Sequence, residues 1–343
     1  MPRERIAKRG KTIYNIKIQN APKGEDKRMK GKYSMKLSTL VDSHKLGILY
    51  QSTDYESVEI WNYNISRPSL QFVDFYDYFD RERIQITGKM EAAYLRTLLP
   101  GERERVINTL FAQKIPALVV CHRVVPDQMF VEAARRHDVT LLTTDLETSE
   151  FIAQVIGTLR THLADRRTEH GVLVQVHGEG LLIQGESGIG KSEVALELVK
   201  RGHRLVADDA VELRRMGRTR LMGSAPPMIR YLMELRGLGI IDVRRIYGVG
   251  AVLPVCDVDL VVKFVRWEEG FDYDRLGLTE ETISFLGVTV PQVTIPVAPA
   301  RNLAIILEVA AMNHREKKLG HNAAKDLMER HDASIDNGWG GFV

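Results

Sequence analysis

The chain has 343 residues, 44% of them apolar and 27% charged, with a formal net charge of +3. It has room for two ordinary domains and the composition of a chain that folds. Its two cysteines, Cys121 and Cys256, lie far apart in apolar runs and exclude a disulfide framework or a cysteine metal site. No apolar run approaches the ~18 residues needed to span a bilayer, and Met1–Arg5 lacks a signal core, so the expected location is cytoplasmic with no membrane contact.

Residues 1–36 carry twelve Lys/Arg against three Asp/Glu, which leaves the rest of the chain net acidic. No aromatic or base-reading pattern accompanies them, so the segment reads as a basic, solvated extension rather than a nucleic-acid contact. Ile13–Ile18 alternates as an edge strand would. Residues 37–147 then read as a small α/β domain. Its expected strands are Val58–Trp61, Ile84–Thr87, Ile115–Val120 and Val139–Leu142, and its expected helices are Glu91–Leu99, ended by Pro100-Gly101, and Asp127–His137. Thr148 to Asp165 carries Ile152, Val155, Ile156, Leu159 and Leu163 on one stripe, which predicts a linker helix over 148–165. A second domain, 166–343, follows.

The most informative stretch of the chain is Gly185-Glu186-Ser187-Gly188-Ile189-Gly190-Lys191-Ser192, which matches the P-loop pattern G-x-x-x-x-G-K-[ST]. Leu181–Gln184 reads as the strand before it, and Glu193–Arg201 as the helix after it, with Gly202 as a stop. Glycines let successive N–H groups converge on a phosphate, and the helix N-terminus adds orphan donors and partial positive charge. Lys191 would reach the β- and γ-phosphates of a nucleoside triphosphate or a close relative, and the Ser192 hydroxyl would take a position on Mg²⁺.

His177-Gly178-Glu179-Gly180 separates two alternating runs, and a turn at Gly178-Glu179 predicts an antiparallel hairpin. In that register Val176 faces Leu181, Val174 faces Ile183, and His170 lies opposite Ser187, beside the phosphates. Asp208-Asp209 follows the apolar strand His203–Ala207, where α/β sheets open their ligand crevices. Neighbouring carboxylates on extended backbone face opposite ways, so one can meet a metal and the other a nucleophile. In Met233–Asp242, Glu234 offers a further oxygen ligand of the kind Mg²⁺ prefers, and glycines around Arg236 allow close approach to a phosphate or partner. Arg275 reads by itself as a surface ion pair. Pro296–Asn302 reads as a rigid loop ending in an N-cap at Asn302, with a helix from Leu303 closed by Gly320. A short frayed tail is expected after His331.

Taken together in this order, His170-Gly171, Gly185–Ser192, His203–Asp209, Glu234–Asp242 and Pro296–Asn302 resemble successive motifs of the HPr kinase/phosphorylase family. Ile65–Pro68, Phe75–Phe79 and Arg83–Gln85 resemble its N-terminal domain. The resemblance spans roughly residues 38–325. It implies a bifunctional enzyme that phosphorylates a regulatory serine of the phosphocarrier HPr with ATP and Mg²⁺. In reverse, inorganic phosphate would remove the phosphate from phosphoserine-HPr, giving pyrophosphate. It also implies a homohexamer and a catalytic core with a mixed, partly antiparallel sheet similar to phosphoenolpyruvate carboxykinase. By resemblance His170, Lys191, Asp209 and Arg275 are catalytic, Ser192 and Glu234 are magnesium ligands, and Asp208 stands near the metal. Residues 233–242 would serve both reactions and 296–301 chiefly dephosphorylation, where Ala300 replaces an expected glycine before Arg301. A P-loop kinase of a small metabolite would share the nucleotide site and is the alternative reading.

Overall fold

The computed structural model describes residues 32–122, 128–270, 280–298 and 301–336. The expected Ile13–Ile18 strand, Arg275 and Ala300 lie outside them.

The first part opens with β1 (Met35–Lys36), α1 (Leu37–His44), β2 (Gly47–Tyr50) and β3 (Glu59–Ile60). There follow β4 (Gln85–Thr87), α2 (Lys89–Thr97), α3 (Pro100–Ala112), β5 (Leu118–Val120), α4 (Gln128–His137) and β6 (Leu141–Thr143). Strands β2-β6-β5-β4 form one sheet, with β4, β5 and β6 parallel and β2 antiparallel at the edge. The strand period of two assigns its faces. Leu118 and Val120 pack with Phe111 and Phe130, whereas Ala117, Val119 and Cys121 pack with Leu40, Phe151 and Val155.

Pro100-Gly101 ends one helix, as its sequence suggests, but it also starts another. Leu98 and Leu99 turn extended, and Pro100 takes the first position of α3, where its fixed φ suits a helix and its missing N–H costs nothing. That helix is absent from the sequence expectation, and it buries Val106, Ile107, Leu110 and Phe111.

Helix α5 (Thr148–Leu163) leads to β7 (Arg166–His170), β8 (Val172–Val176), β9 (Glu179–Gln184), α6 (Lys191–Lys200), β10 (Arg204–Ala207) and β11 (Ala210–Met216). Next come β12 (Arg220–Ser224), β13 (Leu232–Leu235), β14 (Gly239–Asp242), α7 (Val243–Tyr247), β15 (Val255–Asp257), β16 (Leu260–Arg266), β17 (Glu281–Phe285) and β18 (Val288–Val297). Helices α8 (Leu303–Lys318) and α9 (Ala323–Asp336) complete the described chain, so helix continues past His331 where a frayed tail was expected.

Strands β10-β8-β9-β16-β18-β17 form a mixed six-stranded sheet, and β15-β12-β11-β7 an antiparallel four-stranded one. The two sheets pack face to face. Leu173, Leu182, Val206, Val211, Leu213, Val261 and Phe285 fill the layer between them. The other face of the larger sheet, through Val172, Val174, Leu181, Ile183 and Phe264, packs on Ala195 and Leu198 of α6 and Leu307 and Ala311 of α8. Strand β9, which feeds the glycine-rich loop, thus lies between an antiparallel neighbour, β8, and a parallel one, β16.

The hairpin register differs from the sequence expectation by two residues. Val176 pairs with Glu179 and Val174 with Leu181, because the turn is His177-Gly178 rather than Gly178-Glu179. Both turn residues have positive φ, 50° and 92°, the requirement of the tight turn whose twist suits a hairpin. The shift is even, so every side chain keeps its expected face.

Candidate active site

The loop from Gly185 to Gly190 joins β9 to α6. A Cβ on Gly185 would meet Phe264 O of β16 at 2.8 Å, so only glycine lets the loop leave the sheet here. Gly190 caps α6 with φ +100°, a conformation that other residues adopt at a cost. Lys191 begins the helix 7% exposed, and its Nζ donates to Gly185 O and Glu186 O, each at 2.9 Å. The ammonium therefore lies over the loop, close to the free N–H groups of the α6 N-terminus, and together they form an anion-attracting wall.

Opposite stand the carboxylates. Asp208 is 4% exposed, accepts from Ser192 Oγ at 2.8 Å through Oδ1, and from Glu234 N at 3.2 Å through Oδ2. Burial raises its carboxyl above the ordinary value, outweighing those two hydrogen bonds, and the neighbouring charge of Asp209 pushes the same way. Asp209 is exposed and adopts φ +66°, and its Oδ1 lies 3.2 Å from His170 Nδ1.

His170 reaches this place by a different route from the one the hairpin register predicts. It ends β7, in the smaller sheet, paired with Ala210 of β11 rather than facing Ser187. At Gly171 one strand crosses from the smaller sheet to the larger, and at Asp208-Asp209 another crosses back. The two crossings are tied by Gly171 N donating to Asp209 O at 3.0 Å. The site occupies the junction of the two sheets.

The segment Leu232–Asp242 is a hairpin, β13 and β14, with Glu234 opposite Ile240. It presents Glu234 to the cleft and holds Arg236 above the loop. A Cβ on Gly188 would meet Arg236 Nη1 at 2.6 Å, and Arg236 Nη2 is 3.4 Å from Ser187 Oγ. The sequence draws attention to the glycines beside Arg236 and not to the arginine itself. Its position between residues that permit close approach is the available signal.

One cleft is thus lined by His170, Ser187, Gly188, Gly190, Lys191, Ser192, Asp208, Asp209, Glu234 and Arg236. Every described residue named catalytic or metal-binding from sequence is among them; Arg275 lies outside the described residues. Arg301 stands apart. Its Nη1 donates to Pro296 O at 3.1 Å and its guanidinium lies over the Trp267 ring, next to Arg266, whose Nε is 3.2 Å from Glu186 Oε2 at the loop's edge.

The hydroxyl of Ser192 and the carboxylates of Asp208 and Glu234 line the same cleft and offer oxygen donors only, the chemistry that suits a hard divalent cation such as Mg²⁺. Added positive charge beside the buried Asp208, which has a second carboxylate as its chain neighbour, would be favourable.

Comparison with known proteins bears on what this cleft does. Residues 35–159 match the family model described as HPr Serine kinase N terminus, and residues 161–331 the one described as HPr Serine kinase C-terminal domain. The HPr kinase/phosphorylase of Caldicellulosiruptor bescii is 46% identical over 301 residues, 88% of this chain and 97% of that relative. That of Caldanaerobacter subterraneus subsp. tengcongensis is 48% identical over 301 residues, 88% of this chain and 98% of its own length. A solved structure described as the Hpr(Ser) kinase/phosphatase from Coxiella burnetii is 36% identical over 44% of this chain and 98% of its own, with a TM-score of 0.41.

Proposed function

This chain belongs to the HPr kinase/phosphorylase family, and on that premise we propose that it phosphorylates a serine of HPr with ATP and Mg²⁺ and reverses the reaction by phosphorolysis. The observation that carries the proposal is the cleft itself. A glycine-rich loop with a buried lysine faces a paired carboxylate crossing, at one end of a mixed sheet.

In this reading Gly185–Ser192 is a P-loop that cradles the nucleotide phosphates. Lys191 exchanges its two loop carbonyls for phosphate oxygens, and Arg236 closes over them from the β13–β14 hairpin. Ser192, Asp208 and Glu234 would hold Mg²⁺, which when bound neutralises charge on the phosphates. Asp209 points out of the junction toward solvent, where a protein substrate can approach, and acts as general base on the serine hydroxyl. His170 at 3.2 Å orients that carboxylate. In the reverse direction inorganic phosphate occupies the cradle and attacks phosphoserine. Asp209 returns its proton to the serine oxygen, and pyrophosphate leaves. Arg275 would complete the catalytic set, and Arg301, on the Pro296–Asn302 segment, would help hold the phosphate or shield the site from water.

The same reading takes the domain limits to be 37–147, 148–165 and 166–343, the catalytic core to be similar to phosphoenolpyruvate carboxykinase, and the assembly to be a cytoplasmic homohexamer. None of the helices among the described residues is long and apolar enough to cross a membrane. Incubation with ATP, Mg²⁺ and HPr should phosphorylate HPr, and phosphoserine-HPr with inorganic phosphate should yield pyrophosphate. Release of inorganic phosphate alone from phosphoserine-HPr would overturn the phosphorolysis, and transfer only to small acceptors would overturn the substrate.

A further inference from the structure

A second constellation lies at the other end of β9 and α6, remote from the cleft. His177 sits in the β8–β9 turn, His203 follows the end of α6, and Glu308 projects from α8. One ligand atom from each of the three lies within 4.8 Å of the other two. His203 Nε2 is 2.9 Å from Glu308 Oε1, and the two imidazole rings meet edge to face with centroids 4.8 Å apart. His203 is buried and His177 exposed.

Arg201 holds the carboxylate from behind, with Nε 2.9 Å from Oε1 and Nη2 2.6 Å from Oε2. Those bonds, followed by the one from His203, hold the Glu308 carboxyl down to about 2. Glu308 is therefore an oriented acceptor with two imidazoles beside it.

We propose that His177, His203 and Glu308 form a binding site for a transition-metal dication of the zinc class, with a fourth position left to water. The chemistry of the donors decides the class of ion. Two imidazole nitrogens and one carboxylate oxygen suit Zn²⁺ or Co²⁺, whereas Mg²⁺ takes oxygen ligands and belongs in the cleft. Metal–ligand bonds of about 2.0–2.1 Å in a tetrahedron set ligand atoms about 3.4 Å apart. The His203–Glu308 pair is already close to that spacing. His177, exposed on a turn, has at most 4.8 Å between its ligand atom and each of the other two, a gap that a rotation of an exposed side chain closes. Arg201 keeps its bond to Oε2 throughout, the kind of outer partner that orients a ligating carboxylate. The ion would tie together the β8–β9 turn, the end of α6 and α8, at the ends of β9 and α6 away from the glycine-rich loop.

The test uses the full chain, stripped with a chelator and titrated with Co²⁺ alone. The proposal expects one site with the visible bands of four-coordinate Co²⁺, displaced by Zn²⁺, and a thermal midpoint that rises with the ion. His177→Asn, which keeps the turn's positive φ accessible, and His203→Gln should each weaken Co²⁺ binding by at least about 10-fold. Glu234→Gln, in the cleft, should leave the bands unchanged. Undiminished bands in His177→Asn and His203→Gln, bands lost in Glu234→Gln, or no four-coordinate spectrum in the unsubstituted chain would each overturn it.

Discussion

Replacing Asp208 by asparagine should make this protein more stable and inactive at once. Asp208 is 4% exposed, and its two hydrogen bonds come from Ser192 Oγ and Glu234 N. Each stabilises an ionised carboxylate by about 1.5–3 kcal/mol, while burial of the charge costs several. The carboxyl is nevertheless raised above 3.8, so burial outweighs the hydrogen bonds. The difference left at neutral pH is of order 1 kcal/mol against folding. Asparagine removes the charge and keeps both contacts, with its Oδ1 accepting from Glu234 N and its Nδ2 donating to Ser192 Oγ. Calorimetry without divalent ions should show a gain of about 1 kcal/mol, roughly 2 °C in thermal midpoint. The sign with pH follows from the raised value. The ionised form opposes folding above it, and the penalty fades as pH falls toward 3.8 and the wild type binds its proton. The advantage of Asp208→Asn should fade in the same interval. Mg²⁺ with nucleotide should raise the midpoint of the wild type and do so far less in the variant. A variant less stable at pH 7, by an amount that does not change with pH, would show that Asp208 is an ordinary structural carboxylate.

Lys191→Ala should leave the fold intact and abolish transfer from ATP, because the γ-phosphoryl charge loses its nearest cation; full activity in a phosphorylation assay would remove the phosphate-binding reading. Asp209→Asn should keep nucleotide affinity and slow both directions by a similar factor, about 10²–10⁴-fold, whereas loss of nucleotide binding alone would make Asp209 a metal ligand. Arg301→Ala should reduce dephosphorylation more than phosphorylation, measured as pyrophosphate and phosphoserine-HPr; equal losses would make the Pro296–Asn302 segment a general support. Gly185→Ala should weaken nucleotide binding, since its Cβ would stand 2.8 Å from Phe264 O and push the loop off the sheet; unchanged affinity would show that the loop adapts.

Local physics made a large part of this molecule legible in one dimension. The glycines, lysine and serine of 185–192 predict a tight loop between an apolar strand and an amphipathic helix, and β9 and α6 flank it, because those residue types are what the local backbone needs. Asn302 read as an N-cap and does accept from Ile305 N at 3.1 Å. The alternation at 172–183 told which side chains share a face, and it survived a two-residue error in the turn because the strand period is two. Proline and glycine at 100–101 read as a break, yet whether a second helix followed depended on a core to receive Val106, Ile107, Leu110 and Phe111. What no local pattern held was the meeting of two sheet crossings, at His170-Gly171 and at Asp208-Asp209, joined through Gly171 N and Asp209 O. Nor did it hold the approach of Arg236 to Gly188, or of His177 to His203 and Glu308. Those depend on how the sheets stack and where a distant helix packs. Side-chain burial across many residues decides that, and no single segment of sequence carries the information.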